Sequence, residues 1–176
     1  MNKREIDHAL KQIAHGDNDA FGRLYTETKR GVYAFLFSYF KSSADCEDAM
    51  QTTYLKIKQN IGQYKAGSNG LAWILQIAKN TALNEIRKNS NCIGWQAESA
   101  VGETDDYESL ETRSALTSVM RRVLDEEEQR ILILHVIWGY KHKEIATILQ
   151  RPLGTITSKY KRAADKLKTA WKEEER

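Results

Sequence analysis

Between residues 71 and 88 the apolar positions return at helical spacing, with Leu71, Ile74, Leu75, Ala78, Ala82 and Ile86 on one side of a wheel of about 100° per residue. The spacing predicts a helix with that side inward. Opposite them Trp73, Gln76, Asn80, Asn84 and Arg87 fall in a single stripe. Residues 43–60 predict a second helix with Cys46, Met50, Thr53, Tyr54 and Ile57 inward and Asp45, Asp48, Thr52, Leu55 and Gln59 outward, flanked by Glu47 and Gln51. Ser42 or Ser43 stands where it would cap that helix. Further on, the acid-rich start of residues 124–130 suits a helix N-terminus. Ile131, Leu132, Leu134, Val136 and Ile137 follow as candidate core, and Gly139 is placed to end the helix. His135, inside this run, reads as a packed histidine rather than a ligand. Residues 142–149 put Ile145, Ala146, Ile148 and Leu149 on one face. A breaker cluster at 150–154 comes next, and residues 155–168 carry the stripe Ile156, Tyr160, Ala163, Ala164 and Leu167.

Composition agrees with an all-α fold. The chain has 176 residues and one proline, Pro152, and alternating strand-like runs are few. A 41% hydrophobic fraction supports a modest core and excludes a disordered chain. The length excludes a large multidomain enzyme. No uncharged apolar run approaches the roughly 20 residues of a membrane span, and residues 1–10 lack the apolar core of a signal peptide. A cytoplasmic protein with no membrane insertion is expected. Cys46 and Cys92 stand far apart without a C-x-x-C pair, so both read as free thiols.

The net charge of +3 is a cancellation. Residues 1–90 carry 13 basic and 9 acidic side chains, residues 91–113 carry one and six, and residues 114–176 carry 13 and 9. The middle stretch also has linker composition, which predicts two small helical domains, 1–90 and 114–176, joined by an acidic linker at 91–113. Two basic modules suit a polyanion bound at two places.

The C-terminal module reads as a helix-turn-helix. Between Arg151 and Lys172 there are seven basic residues and one acidic, and small hydroxyl residues open the second helix, as in a recognition helix laid in the DNA major groove. Thr155, Thr157 and Ser158 would meet bases or phosphates. Arg151, Lys159, Lys161 and Lys166 would neutralise phosphates, and Arg162 could grip a guanine edge. The plainer reading is a surface helix whose lysines keep it soluble. In the N-terminal module, the stripe from Trp73 to Arg87 suits stacking on exposed bases, with Lys79 beside it. A core position for Trp73 with idle amides fits the same periodicity. The polar loop at 63–70, with Lys65, Ser68 and Asn69, reads as flexible and able to wrap a flipped base. The acidic helix face with exposed Leu55 suits a protein partner, or is simply solvated.

Several segments in order carry a family resemblance: Asp19-Ala20-Phe21 with Leu24-Tyr25; residues 44–51 (ADCEDAMQ) with Thr53-Tyr54-Leu55; Ala72-Trp73-Ile74-Leu75 with Ile77-Ala78-Lys79-Asn80 and Arg87; Gly139-Tyr140; Glu144-Ile145-Ala146; and residues 153–159 (LGTITSK) with Arg162-Ala163 and Leu167. Together they resemble the extracytoplasmic-function (group IV, sigma-70 family) sigma factors, promoter-recognition subunits of bacterial RNA polymerase. The resemblance implies a sigma region 2-like domain and a region 4-like domain. Asp45, Glu47, Asp48, Gln51, Thr52 and Leu55 would bind the β′ clamp of core polymerase. Lys65, Ser68, Asn69, Trp73, Gln76, Lys79, Asn80, Asn84 and Arg87 would melt and hold the −10 element. Arg151, Thr155, Thr157, Ser158, Lys159, Lys161, Arg162 and Lys166 would read the −35 element. It further implies contact with the β flap, an acidic linker that threads toward the polymerase cleft, and an anti-sigma factor as partner. It implies neither catalysis nor a cofactor or metal, and no phosphate loop, metal cluster or nucleophile–base spacing stands in the sequence. Asn84 stands where the family usually has Asp. Asp125 replaces a common proline, Lys141 a Ser or Thr cap, and Lys159 an arginine, whose bidentate geometry is lost. The alternatives are a helix-turn-helix regulator on an operator, independent of polymerase, and a single-strand RNA-binding or adaptor protein.

Overall fold

The computed structural model describes residues 1–40, 42–91 and 119–174, and every regular element among them is helical. The chain divides into two compact units, Met1–Val101 and Gly102–Arg176. The linker expected at 91–113 lies, from Cys92 on, outside the described residues.

Four helices build the first unit: α1 (Lys3–Ala14), α2 (Asn18–Phe37), α3 (Ser43–Gln59) and α4 (Gly70–Asn91). Each start is capped by a short polar side chain that accepts otherwise unpaired backbone N–H groups. Asn2 and Glu5 form a reciprocal capping box on α1, Asp17 caps α2, and Ser42 caps α3. α1 packs on α2 and α4, while α3 packs on α2 and α4. Ile6, Leu10, Leu24, Val32, Phe35, Leu36, Ile57, Leu71, Ile74, Leu75 and Ala78 are fully or almost fully removed from solvent. The polar groups that share this core are paired. The buried Thr28 hydroxyl donates to the Leu24 carbonyl and meets the Tyr54 hydroxyl at 2.7 Å. Burial holds the Tyr54 hydroxyl above its ordinary pKa, against the opposing pull of the Thr28 bond. The predicted inward residues of α3 are all buried, Cys46 as a free thiol. On α4 one expectation fails, because Ile86 is 38% exposed. The buried row of α4 ends at Ala82, and a helical wheel carries the apolar stripe past the point where packed neighbours stop.

In the second unit residues 119–123 are helical, and Asp125 then caps α5 (Glu126–Leu132) with Glu128 in a capping box. The chain continues as a π-helical turn, Ile133–Ile137, before α6 (His142–Leu149) and α7 (Leu153–Glu174). The wide turn decides which apolar residues are inside. Ile131, Leu132, Ile133 and Leu134 are buried, but Val136 and Ile137, expected in the core, are 70% and 53% exposed. A five-residue hydrogen-bond step, with the Trp138 N–H donating to the Ile133 carbonyl, rotates both away from the core. Gly139, at φ +65°, then turns the chain as expected of a residue just past a helix end. The connection between α6 and α7 is tighter than predicted: α7 starts at Leu153, so Leu153 and Gly154 are helical and only residues 150–152 turn. The left-handed residue there is Gln150, at φ +57°, rather than a glycine.

Candidate nucleic-acid and protein interfaces

The outward face of α3 has the character its periodicity predicts. Asp45, Asp48, Gln51 and Leu55 are exposed, Leu55 by 60%, while Glu47 and Thr52 are half-buried. A large apolar side chain rimmed by carboxylates and amides is the composition of a protein-docking face.

On α4, Trp73 is neither in the core nor free. It is half-buried, and its ring lies against Tyr64 with centroids 5.2 Å apart. Gln76 donates from Nε2 to Asn80 Oδ1 at 2.9 Å, and Asn80, Asn84 and Arg87 are exposed along the same face. Lys79 is half-buried. The loop ahead of α4 is tied by hydrogen bonds to α1. Gln63 closes a 3-10 turn, Ile61–Gln63, and Gly70 is the first residue of α4. Between them, the Tyr64 hydroxyl donates a short hydrogen bond to Asp7 of α1, and the Gly67 N–H donates to the same Asp7 oxygen at 2.8 Å. Lys65, Ser68 and Asn69 are exposed, and Asn69 Oδ1 accepts the Ala72 N–H at 3.1 Å, so Asn69 also serves the start of α4. Asp7 and Tyr64 are the residues sequence reasoning missed here. An Asp on a helix and a Tyr in a polar loop 57 residues away carry no shared pattern.

The helix-turn-helix carries its predicted residues on α7, with Arg151 in the turn before it, yet engages several of them. Arg151 Nε donates to Glu127 Oε1 at 2.6 Å. Lys159 Nζ lies 3.0 Å from both Asp125 Oδ2 and Glu127 Oε2, and Lys166 Nζ is 2.7 Å from the fully buried Glu128. The Arg151 guanidinium, helped by Lys159, holds the Glu127 carboxyl below its ordinary pKa despite partial burial. Burial alone would raise Asp125, but the Glu128 backbone N–H and Lys159 outweigh it and hold Asp125 low. Burial pulls Lys159 down, and its two acidic partners more than reverse that. Lys161 and Arg162 are exposed, as are Thr157 and Ser158, and Thr155 is half-buried. The Thr157 hydroxyl donates to the Leu153 carbonyl at 3.0 Å and that of Ser158 to Thr155 at 3.1 Å. Lys141 offers no acceptor as a cap, and Glu144 instead reaches back to its N–H at 2.8 Å. His135 packs as expected, its Nδ1 2.8 Å from the Tyr140 carbonyl and its ring against Tyr160 and His142.

Comparison with known proteins adds independent findings. Residues 24–92 match the family model of Sigma-70 region 2, and residues 121–167 that of Sigma-70 region 4. The chain is 26% identical over 180 residues to the ECF RNA polymerase sigma-E factor of Escherichia coli K12, covering 94% of each. It is 23% identical over 184 residues to the RNA polymerase sigma-H factor of Pseudomonas aeruginosa, covering 97% of this chain and 95% of the relative. Two solved structures share the fold at TM-score 0.67. One is the sigma factor RpoE of Bartonella quintana in complex with the anti-sigma factor NepR, at 24% identity over 86% of this chain and 96% of that one. The other is CnrH in complex with the cytosolic domain of CnrY, at 18% identity over 96% and 98%.

Proposed function

Since the chain belongs to the sigma-70 family as an ECF sigma factor, a non-enzymatic subunit that gives RNA polymerase its promoter recognition, we propose the following division of that work among its surfaces. The α3 face of Asp45, Glu47, Asp48, Gln51, Thr52 and Leu55 docks on the β′ clamp of core polymerase. The residue 64–69 loop and the α4 face from Trp73 to Arg87 receive the non-template strand of the −10 element. α7 enters the major groove of the −35 element, with Lys161, Arg162, Thr157 and Ser158 foremost because they are exposed. The second unit also meets the β flap, and the acidic residues at 91–113 follow the path of nucleic acid through the enzyme. The work is placed in the cytoplasm, with core polymerase, and an anti-sigma factor is the expected regulator, as NepR is for the Bartonella relative.

The observation that carries this reading is the α4 face. Its aromatic, amide and guanidinium side chains lie opposite a fully buried row, next to a loop held in place, which is a surface suited to unstacked bases rather than to water. The test is in vitro transcription with purified core polymerase on genomic fragments. Transcripts that start at defined promoters only when this chain is added are expected. No promoter-dependent transcript together with no core association would overturn the reading.

A further inference from the structure

The loop beside the α4 face is built around one carboxylate. Asp7 sits on α1, ahead of the residues that match the region 2 model, and both of its oxygens are used. Oδ1 accepts from the Tyr64 hydroxyl and from the Gly67 N–H at 2.8 Å, and Oδ2 pairs with Lys11 at 2.7 Å. Gly67 takes φ +82°, a conformation open to glycine, and this lets its N–H turn toward α1. Tyr64 is held at its hydroxyl by Asp7 and across its ring by Trp73, and its hydroxyl also lies 3.3 Å from the Ser68 carbonyl. The start of α4 is fixed against α1 as well. A Cβ at Gly70 would lie 2.8 Å from Leu10 Cδ1 and 3.1 Å from the Tyr64 hydroxyl, so any side chain there would make Leu10 or Tyr64 shift. These contacts tie the loop to α1, while the side chains of Lys65, Ser68 and Asn69 are exposed.

We infer that Asp7 is a positioning residue for promoter recognition: by clamping Tyr64 and Gly67 it presets the loop and the Trp73 ring in the arrangement that receives the −10 strand. Its effect is on discrimination among bases, since a preset loop spends no binding energy on ordering itself and penalises bases that do not fit. The inference rests on the assignment of the α4 face to the −10 strand. Lys11 lowers the Asp7 carboxyl most, followed by Tyr64 and Gly67, to about 2, so the clamp is ionised at any pH at which transcription is measured.

The experiment uses holoenzyme reconstituted from core polymerase and the full chain, and a labelled non-template-strand oligonucleotide from a promoter that the holoenzyme transcribes. Binding is compared with that of the same oligonucleotide carrying single-base substitutions in the −10 element. Asp7→Asn keeps the size and removes the charge, whereas Tyr64→Phe keeps the ring and removes the hydroxyl. Each is expected to reduce the cognate-to-substituted affinity ratio about tenfold, the scale of a lost charge-assisted hydrogen bond. The double variant should fall no further than the worse single one, and exchange of the Gly67 amide should quicken. Core association and binding to a −35 duplex should stay within about twofold of the parent. Faster Gly67 exchange with an unchanged affinity ratio would overturn the inference, as would a loss that is equal for cognate and substituted strands. If Asp7→Asn lowers thermal stability, Tyr64→Phe decides the matter by the same ratio. A parent holoenzyme that fails to bind the −10 strand would count against the assignment of the α4 face instead, so the two failures are distinguishable.

Discussion

Glu127→Gln puts the charge balance of the helix-turn-helix to a quantitative test. The carboxylate meets Arg151 at 2.6 Å and Lys159 at 3.0 Å, in pairs whose side chains retain 20–57% of their exposure. At that exposure each pair is screened and contributes about 0.2–1 kcal/mol, so losing both should destabilise the second unit by about 0.4–2 kcal/mol. Its effect on DNA should have the opposite sign. A base that must leave a carboxylate before it reaches a phosphate loses that pair energy on binding, and the glutamine removes the competitor. Asp125 still holds Lys159, so Arg151 is the cation chiefly released. A release of about 0.5–1 kcal/mol raises affinity for a −35 duplex roughly 2- to 5-fold. One added phosphate contact steepens the dependence of log K on log salt by about 0.9. The measurement is fluorescence anisotropy of a −35 duplex titrated with the full chain across a series of KCl concentrations. Weaker binding with an unchanged slope would refute the reasoning, because it would mean that Glu127 aims Arg151 at the DNA rather than competing for it.

Three further outcomes are expected. Asp48→Arg reverses a charge on the exposed α3 face and should weaken core association at least tenfold while leaving −35 duplex binding unchanged, measured by anisotropy with labelled core and with DNA; equal loss of both would count against the division of surfaces. Arg162→Ala removes an exposed guanidinium from α7 and should cost about 1–3 kcal/mol of −35 affinity if it grips a base edge, with core association intact; unchanged DNA affinity would take Arg162 out of the site. The Asp7 carboxyl, at about 2 when folded against an ordinary 3.8, contributes stability that is complete above about pH 4 and is lost as pH falls toward 2. The gap in melting temperature between the parent and Asp7→Asn should therefore be present at pH 6 and close on acidification, and a gap that does not change with pH would show that the clamp contributes nothing through its charge.

The helical class and the faces of the two most periodic helices were legible in the chain alone. In α3 and α4 apolar residues recur with the helical period and packing obeyed that period, so Cys46, Met50, Thr53, Tyr54 and Ile57 are buried and the stripe from Trp73 to Arg87 lies apart from the buried row. α6 was equally legible, because its boundaries are marked locally, by Gly139 before it and Pro152 after it. Tertiary structure decided whatever depends on partners distant in sequence or on a change of period. Ile86 is exposed because its helix outruns the core, and Val136 and Ile137 because a π-turn breaks the helical count. The pairing of Arg151, Lys159 and Lys166 with the acids of residues 125–128 could not be read from charge content, which counts cations and does not know what they face. The Asp7 clamp lay furthest from view. A hydrogen bond fixes two atoms in space and leaves no periodicity in the chain, so only the folding of α1 against the start of α4 brings Asp7 to Tyr64 and Gly67.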